Sequence, residues 1–205
     1  MKMKHLNNFN TYISEAMKKV KDLNPNIGLF IHLNSLTLYE PKEDKVYAYI
    51  GLTQNKNGTF YFTSVAAETG YGPLIFEIAL MYCKTKESGL MVTRDGDIRG
   101  EAFEVWKKFY HREDTIKKTL DFDDRFYNFA ILTGEEDFEN EIQKDAEYEL
   151  YTEEGFGNDI KVYNTKMSMI PSKEFYDLQD KYKELDIDVI NDKGHDFFSF
   201  RYNTT

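Results

Sequence analysis

The sequence predicts one α/β domain with an acidic insertion toward its C-terminal part. Three observations carry that reading. Between residues 27 and 111 the patterning runs strand, strand, strand, helix, strand, helix, the alternation expected of a sheet covered by helices. No internal repeat or low-complexity linker divides the 205 residues, a length that one domain accommodates. The charge surplus is local as well. The chain carries 26 basic and 36 acidic side chains, a net charge of −10, and residues 134–159 alone hold 11 acids against one base, Lys144. The remainder is balanced, so the acidity belongs to one segment and not to the fold.

Apolar residues at Leu6, Phe9, Tyr12, Ile13, Ala16, Met17 and Val20 recur at helical spacing. They make 6–23 a helix, with Lys18, Lys19 and Lys21 in its last turns, where cations suit the helix dipole. Asn24-Pro25-Asn26 stops it. Residues 27–38, 45–52 and 59–65 read as strands, punctuated by Asp44 and by an Asn57-Gly58 turn. The loop Glu68-Thr69-Gly70-Tyr71-Gly72-Pro73 then opens a helix whose apolar face is Leu74, Ile75, Ile78, Ala79, Met81 and Tyr82. Pro73 suits a first helical turn, because the N–H it lacks would be unpaired there. Residues 89–93 read as a short strand and 100–111 as a helix. Further on, 126–132 reads as a buried strand, 160–169 as a strand, 172–185 as a helix capped by Ser172, and 196–202 as a terminal strand. The core thus spans about 27–133, followed by the acidic excursion 134–159 and a C-terminal strand–helix–strand, 160–205.

Composition excludes several classes. A single cysteine, Cys83, forbids an intramolecular disulfide, and its place between Tyr82 and Lys84 reads as buried and inert. The four histidines lack metal-ligand spacing, and Asp121, Asp123 and Asp124 lack the glycine and the distant glutamate of a calcium loop, so no metal is expected. No apolar run reaches the ~18 residues of a membrane span, and the start carries no signal-peptide core. The expectation is a soluble protein of a reducing compartment, without a membrane partner. An acidic segment repels the polyanion that a nucleic-acid binder must attract, so no nucleic-acid partner is expected either. The 15 tyrosines and 16 phenylalanines speak for a well-filled core or for aromatic-lined grooves.

One constellation carries chemistry. Gly70-Tyr71-Gly72 sits between a strand and a helix, where glycines let backbone N–H groups approach a ligand and the helix start favours an anion. Val65-Ala-Ala-Glu-Thr-Gly-Tyr-Gly-Pro-Leu74 precedes a helix, a strand at Gly89-Leu90 with Arg94 after it, and a helix bearing Ala102 and Trp106. This order resembles the GCN5-related N-acetyltransferase (GNAT) superfamily, in particular its divergent bacteriophage-encoded members, over somewhat under half of the chain. The resemblance implies a mixed, mostly antiparallel sheet flanked by helices. It implies acetyl-CoA as co-substrate, its pyrophosphate on backbone amides of the segment Gly70-Tyr71-Gly72-Pro73-Leu74 and its pantetheine arm beside the strand ending near Val65. It also implies a primary amine as acceptor, on a small molecule or a protein lysine, and the host cytoplasm as the place of action.

Three features depart from the family pattern, one of them a strand-to-loop segment shorter than usual. Ala67 stands where Arg or Gln is usual, and Trp106 where a tyrosine commonly protonates the departing thiolate; an indole cannot serve as that acid. Tyr110 lies one helical turn later on the same face and is the candidate acid. Glu68 is the candidate base, or else a carboxylate attracted to the helix start. Arg94 either holds an acidic group of the substrate or pairs with Asp95 or Asp97. Tyr71 either covers a ligand or caps the helix with its ring. The departures also motivate an alternative, a catalytically inactive GNAT-like fold that binds a phage or host protein or belongs to the virion.

Overall fold

The computed structural model describes residues 19–55, 57–92, 101–121 and 160–182. In chain order the elements are β1 (Gly28–His32), β2 (Ser35–Glu40), β3 (Lys45–Gln54), β4 (Phe60–Ala67), α1 (Gly72–Thr85), β5 (Leu90–Met91), α2 (Glu101–His111), β6 (Ile116–Thr119), α3 (Ile160–Tyr163), β7 (Thr165–Ser168) and α4 (Lys173–Asp180). The strands form one seven-stranded sheet in the order β1-β2-β3-β4-β5-β7-β6. The pairs β1–β2, β2–β3, β5–β7 and β6–β7 are antiparallel. β4 and β5 are parallel, Phe60 opposite Leu90 and Tyr61 opposite Met91, as a crossover through a helix requires. The mixed α/β fold expected from the patterning, with the mostly antiparallel sheet that the resemblance implies, is therefore the fold of the chain.

Several elements differ from expectation. Residues 27–38 are two strands, not one, because His32 pairs with Ser35 across a two-residue turn. Leu33 in that turn has φ +52 and stands 83% exposed. Residues 160–169 begin with the helical turn α3, and only Thr165–Ser168 is strand. The Thr165 hydroxyl donates to the Lys161 carbonyl, closing that turn ahead of the strand. Strand β6 carried no sequence signal. Of the expected N-terminal helix, the described part is a single 3-10 turn, Val20–Asp22. The expected strands at 126–132 and 196–202, the acidic stretch 134–159, and Arg94 lie outside the described residues.

By contacts the chain divides into two compact units, the first drawn from Met1–Gly51, Ser64–Ala79 and Pro171–Thr205, the second from Leu52–Thr63 and Leu80–Ile170. In the first unit Leu29, Leu36, Leu38 and Ile50 are buried with Leu74, Ile75 and Ile78 of α1. Helix α4 packs on β1 with Phe175 and Leu178 buried, and its N-cap Ser172 accepts the Phe175 N–H at 3.2 Å. Just past α4, Lys181 Nζ donates to the carbonyls of Pro25 and Ile27. The Tyr182 hydroxyl donates to the Tyr39 carbonyl at 2.9 Å. The Tyr182 ring fills the space beside Gly28 so closely that a Cβ at residue 28 would fall 1.3 Å from it. Burial, with the charge of Glu40 adding, pushes the Tyr182 phenol up to about 12.

The second unit has an aromatic centre. Phe60 stands edge-on to Tyr82 at 5.9 Å, and the Trp106 ring lies 5.8 Å from Phe62. Trp106 is 0% exposed, and its Nε1 donates to the Val162 carbonyl at 3.3 Å. That bond gives the indole N–H the partner its burial demands. Helix α1 is buried nearly all round, from Leu74 to Cys83 with Glu77 as the exception, wider than the single apolar face expected. Cys83 is fully buried, and the apolar surroundings push its thiol up in pKa, which removes it from thiolate chemistry at neutral pH.

Candidate functional site

Strand β4 ends at Ala67 and α1 begins at Gly72, so the chain reverses direction within four residues. The Tyr71 N–H donates to the Glu68 carbonyl at 2.9 Å, and Gly70 has φ +86. Residues 68–71 are thus a β-turn whose third position needs positive φ, which glycine adopts without strain. The Tyr71 carbonyl then accepts the Ile75 N–H at 3.0 Å, the first closed bond of α1.

The second glycine has another role. Gly72 has no positive φ, and a Cβ placed on it would meet only the Ala67 Cβ, at an ordinary 4.0 Å. The chain therefore does not require glycine at 72; its effect is to leave the start of α1 bare. Gly72 and Leu74 belong to the first turn, whose N–H groups have no acceptor inside the helix. The resemblance implies donors from the amides across 70–74. The Tyr71 amide is spent inside the turn and Pro73 has none, so the donors open to a ligand come from Gly70, Gly72 and Leu74. The Leu74 side chain is buried and anchors the turn, while Val65, Tyr71 and Pro73 are half-buried.

A β-bulge brings a second group of residues to this turn. Leu38 pairs with Ala48 but Tyr39 pairs with Val46, which leaves Tyr47 as the extra residue of β3. A bulge re-aims the side chain it carries. The Tyr47 carbonyl accepts the Glu68 N–H at 2.9 Å, and the Tyr47 ring lies 4.9 Å from the Tyr71 ring at 39°. Lys45 Nζ sits 3.0 Å from Glu68 Oε1 and 4.6 Å from the centre of the Tyr47 ring. The Tyr47 hydroxyl donates to Glu43 Oε2 at 3.0 Å. Burial, then the Glu43 hydrogen bond, push the Tyr47 phenol up to about 12. Burial also raises Tyr71, with Glu68 adding to the effect and Lys45 opposing it. Both phenols are neutral hydrogen-bonding groups at physiological pH.

The structure thus brings Glu68 and Tyr71 together with the turn at 70–74, and adds Glu43, Lys45 and Tyr47, which sequence reasoning missed. Lys45 reaches Glu68 only because β3 and β4 are neighbours in the sheet, and linear spacing holds no sign of that. Tyr110 belongs to the second unit, where its ring stands edge-on to His111 at 5.3 Å with Lys117 Nζ 6.0 Å from its centre. Trp106 is a core residue of that unit. Among the described residues no group of three or more His, Cys, Asp or Glu is placed to hold a metal ion, and no helix is long and apolar enough to cross a membrane. No protein-family model matches the chain, nor does any curated protein or any solved structure.

The arrangement has three chemical capacities. Backbone N–H groups at a bare helix start favour an anion such as a phosphate. A carboxylate beside them can accept a proton from an ammonium, once its present counterion is displaced. Two neutral phenols with a further carboxylate, Glu43, offer an aromatic and acidic rim that suits a cation.

Proposed function

We propose that the protein is an acyl-CoA-dependent N-acyltransferase that moves an acetyl group from acetyl-CoA to a primary amine, on a small molecule or a protein lysine. The observation that carries this reading is the strand–turn–helix junction. Gly70 supplies the positive φ that the turn needs, while Gly72 is a glycine the chain itself does not need, as expected where a ligand approaches backbone. Residues of the GNAT-like pattern supply the rest. The amides of Gly70, Gly72 and Leu74 hold the pyrophosphate, and Val65 lines the strand beside the pantetheine arm. Acetyl-CoA, when bound, supplies the activated thioester. Glu68 takes the proton of the acceptor ammonium, and the departing thiolate takes its proton from solvent. The carboxylates of Glu43 and Glu68 and the rings of Tyr47 and Tyr71 favour a cationic acceptor.

The test is calorimetric titration with acetyl-CoA of the native protein and of two variants. Gly72→Ala fits the space available and keeps the fold, with binding weakened. Gly72→Glu places a carboxylate among the donors and abolishes binding. Native affinity in the Gly72→Glu protein would sink the proposal.

A second reading has its own observation. Glu68 is held by Lys45, and Trp106, at the position of the family's tyrosine, is locked into the core by Val162. A catalytically inactive fold that binds a phage or host protein, in the host cytoplasm or in the virion, accounts for both. It predicts no acyl transfer from acetyl-CoA and a protein complex that survives Gly72→Glu.

A further inference from the structure

Among the described residues of the first unit, Glu40 is a buried carboxylate without a full set of partners. Glu40, the last residue of β2, is 0% exposed. Its Oε1 accepts the Lys42 N–H at 3.1 Å, while its Oε2 is buried and has no hydrogen-bond partner. Leaving a buried charged oxygen unpaired is costly, so such an atom calls for a counterion.

The sheet register puts a counterion within reach. Glu40 lies directly opposite Lys45 across β2 and β3, so their side chains leave the same face with Cβ atoms roughly 5 Å apart. Lys45 is turned instead toward Glu68, and in that pair the two side chains are 40% and 36% exposed. An ion pair so open to water is weak. Lys45 therefore rests in a shallow pair while a deeper carboxylate beside it goes without.

We infer that Lys45 is an exchangeable counterion with two homes, Glu68 at the glycine turn and Glu40 across the strand. When Glu68 is neutralised or engaged by another cation, the ammonium swings to Glu40 Oε2 and completes the buried pair. Glu40 is then a positioning residue: it receives the lysine that would otherwise keep Glu68 occupied. The link to acyl transfer rests on the proposed function, in which an incoming ammonium displaces Lys45 from Glu68. The exchange itself needs no co-substrate. Among the described residues, the groups around Glu40 include the Lys42 backbone, Lys45, Tyr182, whose phenol its charge raises, and Tyr39, whose hydroxyl is taken by Asp44.

A double-mutant cycle in two backgrounds tests the exchange. Lys45→Met, Glu40→Gln and the pair are compared by urea denaturation, first in the native protein and then with Glu68→Ala. The expected result is weak coupling in the native background, where the Lys45 ammonium is on Glu68, and markedly stronger non-additivity with Glu68→Ala, where it is on Glu40. Additivity in both backgrounds, or equal coupling in both, overturns the inference. Should Glu40→Gln prevent folding, one variant suffices. In Glu68→Ala protein, proton–proton contacts between the Lys45 ε-methylene and the Glu40 γ-methylene appear by nuclear magnetic resonance, and their absence overturns it equally. Neither readout involves acetyl-CoA, so failure here is distinct from failure of the acyltransferase reading.

Discussion

At the scale of single residues, the two glycines of one short motif have opposite energetics. Gly70 needs its positive φ, so Gly70→Ala strains the turn and costs about 1 kcal/mol or more. Gly72 has an ordinary conformation and room for a methyl, so Gly72→Ala gains roughly 0.5 kcal/mol through the unfolded chain. Urea denaturation of the two variants should therefore move the midpoint in opposite directions. The Gly-x-Gly pattern was legible in the sequence, but this division was not, because it depends on φ and on the distance to Ala67. The bulged Tyr47 gives a pH prediction. Its phenol titrates near 12 in the folded protein against 10.0 when unperturbed. Folded-state pKa above unfolded means that the stabilisation is full below pH 10.0 and lost as pH rises toward 12. Stability measured across that range should fall less steeply in Tyr47→Phe than in the native protein.

At the scale of elements, what could be read depended on whether the determinant was local. Ser172 was legible as a cap because the cap and the donor it satisfies are three residues apart; Ser172→Ala should cost about 1 kcal/mol by thermal or urea denaturation. The Asn57-Gly58 turn was legible for the same reason, and Gly58 has φ +91. The turn after β1 was not, because a leucine, not a glycine or asparagine, occupies its positive-φ position, and apolar residues resume directly on either side of His32-Leu33-Asn34-Ser35. β6 went unread because Ile116-Lys-Lys-Thr119 neither alternates nor shows a strong strand preference; pairing with β7, Lys117 opposite Met167, defines it. Nor could spacing foretell that Tyr182 would lie on Gly28. That contact predicts a specific pattern of damage and repair. Gly28→Ala forces the ring out and destabilises by about 1–3 kcal/mol, whereas in a Tyr182→Ala background the same change costs much less. Equal cost in both backgrounds would show that the ring is not what excludes a side chain there.

At the scale of the whole molecule, β3, β4 and α1 each run unbroken from one compact unit into the other, since the divisions fall at Gly51, Thr63 and Ala79. A helix cannot lose half its turns without exposing the other half's unpaired ends. Unfolding is accordingly expected to be a single transition. Trp106, the one tryptophan of the chain, reports on the second unit alone, and far-ultraviolet circular dichroism reports on both. Coincident urea midpoints are the expected outcome, and separated midpoints would mean that the units melt independently. The fold class was legible at this scale from periodicity, because burial of one face of an element writes itself into neighbouring residues. The candidate site was legible only along β4 and its turn, since Glu43, Lys45 and Tyr47 enter it through sheet pairing. The contact of Tyr182 with Gly28 extends the same lesson to evolution. A ring that leaves no room for a methyl ties two distant positions into one inherited unit. Among relatives of this chain, residue 28 should depart from glycine only in lineages where the aromatic ring at 182 has already been lost.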